Sequence, residues 1–179
     1  MLVASRRWLR RLITIALIVG IFFRFFNLDR KVYWYDETMT SLRSSGYTQQ
    51  EMFDRIYTGE VIAVKSLLDT YQYPNPTRNL QDTIAALAKH PEHSPLYYLL
   101  ARFWVQFFGH SIATIRSLSA CISLLAIPCM YWLCRELFPK PVILSQFGMA
   151  IVAISPFHVL YAQEASESSL WTVTILFSS

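Results

Sequence analysis

Charged residues are scarce in this chain, and their scarcity excludes an ordinary water-soluble domain. Asp, Glu, Lys and Arg make up 16% of the 179 residues, and hydrophobic residues make up 54%. A soluble domain is usually about a quarter charged. The few charges fall in an N-terminal cluster, a middle segment and short junctions, with long apolar stretches between them. This distribution indicates an integral membrane protein, so the lipid bilayer is one of its predicted partners.

A basic stripe of the kind that binds nucleic acid is also missing, although the net charge is +4. Arg6, Arg7, Arg10 and Arg11 stand directly before an apolar run, where positive residues hold a helix end in the cytoplasm. DNA binding would need basic residues along an exposed face. The sequence therefore predicts no nucleic-acid partner.

The cysteines are few and form no CxxC pair: Cys121, Cys129 and Cys134 all lie in one apolar segment without a histidine at ligand spacing. We interpret them as packing residues of a helix rather than metal or redox groups. The sequence predicts no certain cofactor.

A divalent metal is the unsupported alternative at His90 and His93, which would share one face of a helix. Pro91 and Pro95 disfavour continuous helix there, and no third ligand is evident. The sequence therefore predicts no metal site.

Apolar runs predict an all-α, polytopic membrane domain over residues 1–179. The run after the arginine cluster lacks a small-residue cleavage site, so it is expected to stay as an uncleaved anchor. The last run covers about half a bilayer, so the chain is expected to be the N-terminal part of a larger domain. The predicted segments are a transmembrane helix at 12–28, an extracytoplasmic loop at 29–94, a short interfacial or transmembrane helix at 95–108, transmembrane helices at 112–134 and 142–161, and the start of a further helix at 169–179.

The loop is predicted to contain amphipathic helices that lie along the membrane surface. Thr48 and Glu51 form a capping-box pair at the start of one helix, and Gly59 closes it. The apolar spacing from Leu80 to Ala88 predicts a second helix.

The positive charges predict an orientation for the spans. With the arginine cluster in the cytoplasm, the loop lies outside, and the protein is a multi-pass protein of the plasma (inner) membrane. Arg135 and Lys140 would also be cytoplasmic if residues 95–108 only dip into the outer interface. If that segment crosses the bilayer, both residues lie outside. We favour the first arrangement, and the second stays open.

Adjacent carboxylates follow the first span, at Asp36 and Glu37. Near an apolar surface, desolvation and mutual repulsion raise the pKa of such a pair. A carboxylate placed in this way accepts a proton from an attacking hydroxyl. The alternative is structural: Asp36 as the N-cap of a helix, with Glu37 in its first turn.

Two arginines near span ends, Arg24 and Arg116, are candidates for binding an anion. Snorkelling to the interface would explain Arg24 alone. Together with Gln163 and Glu164, which end a span on the same side, the arginines could instead hold a lipid phosphate.

Five short motifs now stand in order along the chain. They are an apolar helix ending in Arg, Trp-x-Asp-Glu, His-Ser-Pro-Leu-Tyr-Tyr, Ile-Arg-Ser-Leu-Ser-Ala and Tyr-Ala-Gln-Glu-Ala. This order resembles the family 39 type glycosyltransferases, polytopic GT-C enzymes that include protein mannosyltransferases, aminoarabinose transferases and Rgt-like bacterial sugar transferases. The resemblance covers essentially the whole chain and the N-terminal third or so of a typical member.

The resemblance implies transfer of a sugar from a polyprenyl-phosphate donor to an acceptor glycan, lipid or protein on the outer membrane face. It implies that Asp36 is the general base and that Glu37 orients the acceptor or the loop. It also implies that Arg24, His93 and Arg116 lie near the donor phosphate or sugar. With Gln163 and Glu164, which end a span on the same side, they make up the predicted substrate-binding set.

The motifs also depart from the family at one point. Many relatives carry an arginine and a tyrosine where this chain has Ser166 and Ser168. Without them, and without later spans, the chain alone is expected to be inactive. A non-catalytic remnant or accessory subunit of the same fold is therefore the alternative function. A transporter is disfavoured, because the polar groups of the full spans lie mostly near their ends.

Overall fold

The computed structural model describes residues 2–74 and 76–179, with side chains from residue 7 onward, so the side chain of Arg6 in the predicted cytoplasmic cluster lies outside the described residues. Over these ranges the chain is helical and contains no β-strand, which confirms the predicted all-α class. The helices are α1 (Leu2–Phe25), α2 (Tyr35–Ser44), α3 (Gln49–Ile56), α4 (Val64–Leu67), a π-helical turn (Leu68–Gln72), α5 (Leu80–Ala88), α6 (Pro95–Phe108), α7 (Ile112–Leu137), α8 (Ile143–Ile154), α9 (Pro156–Ala162) and α10 (Ser168–Ser178).

The chain forms two compact units. The first unit contains residues 2–28, 119–164 and 168–179, and the second unit contains Asp29–Leu118 and Ala165–Glu167. Helix α7 contributes its first residues to the second unit and the rest to the first unit.

One helix of the described ranges, α7, is by itself long and apolar enough to cross a bilayer. Its 26 residues span about 39 Å at roughly 1.5 Å per residue, against a hydrocarbon core of about 30 Å. Helices α8 and α9 meet the same criterion only together, and they are bent by 54°. The continuous helix predicted for 142–161 is therefore broken. The break falls at Ser155, which has φ −56° and ψ 121°, because a residue before proline is pushed out of the α region.

Helices α1 and α8 of the first unit approach closely at Gly20. A Cβ atom on Gly20 would lie 2.1 Å from the carbonyl oxygen of Ala153. No side chain fits in that space, so the backbones meet there only because residue 20 is glycine.

The second unit begins with helix α2, which packs on α5, α6 and the π-helical turn. Its core contains Met39, Leu42, Tyr47 and Tyr71. This small apolar cluster holds the polar segment together without a disulfide, since the cysteines of the chain are free.

Capping residues place the next helices of the second unit. Thr48 is the N-cap of α3, and its backbone N–H donates to Glu51 at 2.8 Å, as the capping box predicts. Helix α3 ends at Ile56, three residues before Gly59, which adopts the left-handed φ of +80°. Asn79 caps α5, whose bounds match the predicted amphipathic stretch. Both predicted loop helices are therefore confirmed.

Helix α6 keeps the bounds predicted for the short segment. Pro95 occupies its first turn, where the missing N–H costs nothing, and Gly109 ends it with φ +100°. Its 14 residues span about 21 Å at roughly 1.5 Å per residue. That length is short of the hydrocarbon core of a bilayer, which is about 30 Å thick.

Candidate functional site

A buried ion pair joins two of the predicted site residues, Glu37 and Arg116. Neither side chain is exposed to solvent. Arg116 Nε donates to Glu37 Oε1 and Arg116 Nη2 donates to Glu37 Oε2, both at 2.7 Å. The backbone N–H of Ala165 donates to Oε1 at 2.9 Å. This bidentate geometry is the strong form of a charge-assisted hydrogen bond.

Arg116 also fixes the segment that leads into α2. Its Nη1 donates to the carbonyl oxygen of Lys31 and its Nη2 to that of Val32, both at 3.1 Å. Its guanidinium lies 5.4 Å from the ring centroid of Tyr33. Burial raises the pKa of the Tyr33 hydroxyl above its usual range, so this hydroxyl stays protonated beside Ser41. The Arg116 guanidinium thus binds a carboxylate and two backbone carbonyls of the protein itself.

Asp36 differs from Glu37 in being exposed. Helix α2 starts at Tyr35 and its N-cap is Trp34, so the prediction that Asp36 is the N-cap is wrong. Glu37 makes the capping contact instead, since its Oε2 accepts from the Trp34 backbone N–H at 3.4 Å. The predicted desolvation of both carboxylates holds only for Glu37. Among the described residues, Asp36 makes no hydrogen bond, and its carboxylate is open to a ligand.

His93 is oriented by a carboxylate that the sequence did not single out. Its Nδ1 lies 2.8 Å from Oε1 of Glu167, whose side chain is 9% exposed. On the other side, His93 Nε2 lies 3.8 Å from Glu92, which also contacts His90. Within the described ranges, no three His, Cys, Asp or Glu side chains form a group suited to a metal ion.

Arg43 and Tyr98 complete the polar groups around His93. Both are buried, and Arg43 Nη1 donates to the Tyr98 hydroxyl at 3.4 Å. The rings of His93 and Tyr98 lie 5.9 Å apart in an edge-on contact. Arg43 stands seven residues after Asp36, two helical turns along one face of α2, and this spacing is a signal that the sequence did offer.

Arg24, in the first unit, is fully buried among neutral acceptors. It donates to Ser123 Oγ at 3.1 Å, to the Val152 carbonyl at 3.0 Å and to the Ala153 carbonyl. These carbonyls belong to the last turn of α8, where a cation balances the helix dipole. Snorkelling therefore does not describe Arg24, because its charge is held by backbone carbonyls of the protein.

A cavity of about 290 Å³ adjoins Arg24 within the first unit. Polar groups on its wall include His158, Tyr161 and Thr172. Arg24 thus lies beside open space, while its hydrogen bonds go to the end of α8, to the Gly20 carbonyl and to Ser123.

Gln163 and Glu164, the other two predicted substrate residues, belong to the first unit. Gln163 Nε2 donates to the carbonyl oxygens of Phe23 and, at 3.0 Å, Phe26. This amide therefore covers the carbonyls that α1 leaves open at its end. Glu164 is buried.

The second unit contains the predicted residues Asp36, Glu37, His93 and Arg116, of which Glu37 and Arg116 are in contact. Arg24, Gln163 and Glu164 lie in the first unit. No family model, curated protein or solved structure matches this chain. The geometry of these groups and the order of the motifs are therefore the basis for a proposed function.

Proposed function

We propose that this protein is a membrane glycosyltransferase of the GT-C type. It moves a sugar from a polyprenyl-phosphate donor to an acceptor glycan, lipid or protein on the outer face of the plasma membrane. The observation that carries the proposal is the contrast between two adjacent carboxylates: Asp36 is exposed, while Glu37 is fully buried and held by Arg116. The ion pair fixes the helix start that presents Asp36.

The reaction assigns different roles to the two carboxylates. Asp36 accepts the proton of the acceptor hydroxyl, whose oxygen attacks the anomeric carbon of the donor sugar. The bond between that carbon and the phosphate oxygen breaks, and the prenyl phosphate leaves with the electron pair. Glu37 is a positioning residue, because both of its oxygens accept hydrogen bonds from Arg116.

A hydrogen-bond donor near the leaving phosphate favours its departure. His93 is the proposed contact, since its side chain is 28% exposed, whereas Arg116 is fully buried in its pair with Glu37. The proposed function therefore changes the role of Arg116 from donor binding to positioning.

The proposed topology has the N-terminus in the cytoplasm, several spans and the second unit outside. In a variant whose three native cysteines are replaced by alanine, Gln81→Cys and Glu60→Cys are expected to react with a membrane-impermeant thiol reagent applied to intact cells. Lys140→Cys is expected to react only after the cells are opened. All three positions are exposed on the protein, so membrane sidedness decides their labelling. Labelling of Lys140→Cys alone in intact cells would contradict the outward site.

The experiment that tests the function supplies polyprenyl-phosphate sugars to membranes from cells that express the natural gene. Release of polyprenyl phosphate and appearance of the sugar on an acceptor are measured by mass spectrometry for mannose, glucose, galactose and aminoarabinose donors. Membranes from cells without the gene are the control. We expect gene-dependent transfer from at least one donor. Absence of transfer with every donor, at normal protein levels, would favour a non-catalytic accessory subunit.

A further inference from the structure

Glu167 has a carboxylate oxygen without a partner. Its residue is 7% exposed, and Oε1 is satisfied by His93. Among the described residues, no donor reaches Oε2. A buried polar atom left unpaired destabilises the fold, and more so when it is charged. Such an atom in a folded protein indicates a missing ligand or water.

Arg43, in the same unit, has N–H groups that its side-chain hydrogen bond to Tyr98 does not use. The residue is 8% exposed. Within the described ranges it makes a single side-chain hydrogen bond, 3.4 Å long, to the Tyr98 hydroxyl, and it makes no ion pair. A guanidinium has five N–H groups. Most of these donors are therefore open to a further acceptor.

Tyr98 links the two incomplete groups. The guanidinium of Arg43 lies 5.8 Å from the centroid of the Tyr98 ring. Burial, and then the charge of Glu167, raises the pKa of Tyr98 to about 12, so its hydroxyl is a neutral donor. The charge of Asp36 also acts on this hydroxyl. Tyr98 therefore contacts Arg43 on one side and, on another, His93, which holds Glu167. Asp36 lies two helical turns before Arg43 on α2.

We propose that Glu167 and Arg43 form a subsite for the hydroxyl groups of a sugar, on the face of α2 that also carries Asp36. One hydroxyl donates to Glu167 Oε2, and a neighbouring hydroxyl oxygen accepts from Arg43. The inference rests on the proposed function, since the sugar is that of the donor or of the acceptor.

The chemistry of the two groups selects a neutral polyol over other ligands. A phosphate placed against the unpaired Oε2 would be repelled by the Glu167 carboxylate, so the donor phosphate is assigned to the other ring nitrogen of His93. A metal ion or an amine placed against the guanidinium would be repelled by Arg43. A hydroxyl group both donates and accepts, so a pair of hydroxyls satisfies the unpaired acceptor and the unused donors together.

The test measures sugar binding directly, independently of turnover. The full chain in nanodiscs is titrated with short-chain prenyl-phosphate mannose, glucose and galactose, with prenyl phosphate lacking a sugar, and with the methyl glycosides of the same sugars. Binding is followed by calorimetry for the wild type, Glu167→Gln, Arg43→Lys and Glu60→Gln. Glu60 lies in an exposed loop, so its variant is the matched control for a lost carboxylate.

Glu167→Gln is expected to weaken binding of a sugar by about 10-fold to 100-fold, as for a lost hydrogen bond to a charged group. Arg43→Lys is expected to weaken the same ligand, and Glu60→Gln to bind as the wild type does. Prenyl phosphate without a sugar is expected to bind all four proteins equally. A loss confined to the prenyl-linked sugars identifies the donor sugar, and a loss confined to the methyl glycosides identifies the acceptor.

Equal sugar affinity in the wild type, Glu167→Gln and Arg43→Lys would overturn the subsite, and Oε2 would then be paired with water only. Thermal unfolding reports whether Glu167→Gln and Arg43→Lys keep their folds, and Arg43→Lys leaves the contact of His93 with Glu167 untouched. Sugar binding that depends on Glu167, without transfer from any donor, supports the subsite and contradicts the proposed function. Transfer that is insensitive to substitution of Glu167 and Arg43 supports the proposed function and contradicts the subsite.

Discussion

Replacement of Arg116 by methionine is expected to destabilise the second unit by about 3–5 kcal/mol, because it leaves the carboxylate of Glu37 buried without its cation. Glu37 has no exposed surface on which to regain water. The same change removes the donors to the carbonyls of Lys31 and Val32. The segment before α2 should therefore loosen together with the ion pair.

Thermal unfolding and limited proteolysis in detergent micelles measure this effect. Arg55→Met is the matched control, since Arg55 is an exposed cation of the same unit. The double variant Glu37→Gln with Arg116→Met should recover part of the loss, because no buried charge then stands alone. An Arg116→Met protein with the melting temperature of the wild type would contradict the conclusion that Arg116 stabilises the fold.

Local sequence signals predicted the helices whose ends carry a capping residue, a proline or a glycine. Thr48 and Asn79 cap α3 and α5 with their side chains, and proline and glycine bound α6. The segment Val64–Gln72 was not predicted, because its N-cap, Ala63, has no side-chain hydrogen bond. Its turn of π-helix also shifts the spacing of apolar positions away from the usual helical period.

The sequence predicted residues that belong to the candidate site, but it did not predict which of them pair. Glu37 and Arg116 are 79 positions apart, and nothing local in the sequence states that they meet. Arg116 was therefore predicted to bind substrate and Glu37 to orient the acceptor or the loop, although the structure pairs them with each other. Glu167 was passed over because the family motif directs attention to its neighbours, Ser166 and Ser168. Only the three-dimensional contact with His93 identifies it.

Asp36→Asn is expected to lower turnover by about a hundredfold to ten-thousandfold, as for loss of a general base. The amide has the shape of the carboxylate but does not accept the proton of the acceptor hydroxyl. Asp36 is exposed and makes no hydrogen bond among the described residues, so the substitution should leave expression and thermal unfolding unchanged. Binding of the donor should also persist, because Asp36 acts on the acceptor.

Asp54→Asn is the matched control for this experiment. Asp54 is an exposed carboxylate on α3 whose hydrogen bond is to Gln50, one turn earlier on the same helix. An asparagine there keeps an acceptor for that bond, so turnover should stay within twofold of the wild type. Loss of activity in both variants would indicate a general effect of removing negative charge from the second unit.

The most direct test of the account is a single-turnover measurement of polyprenyl-phosphate release. It is made on equal amounts of the natural gene product, as wild type, Asp36→Asn and Asp54→Asn, in bilayers with saturating donor and acceptor. We expect release with the wild type and with Asp54→Asn, and at least a hundredfold slower release with Asp36→Asn. Release by Asp36→Asn at the wild-type rate would show that Asp36 is not the base, and the proposed site would be wrong.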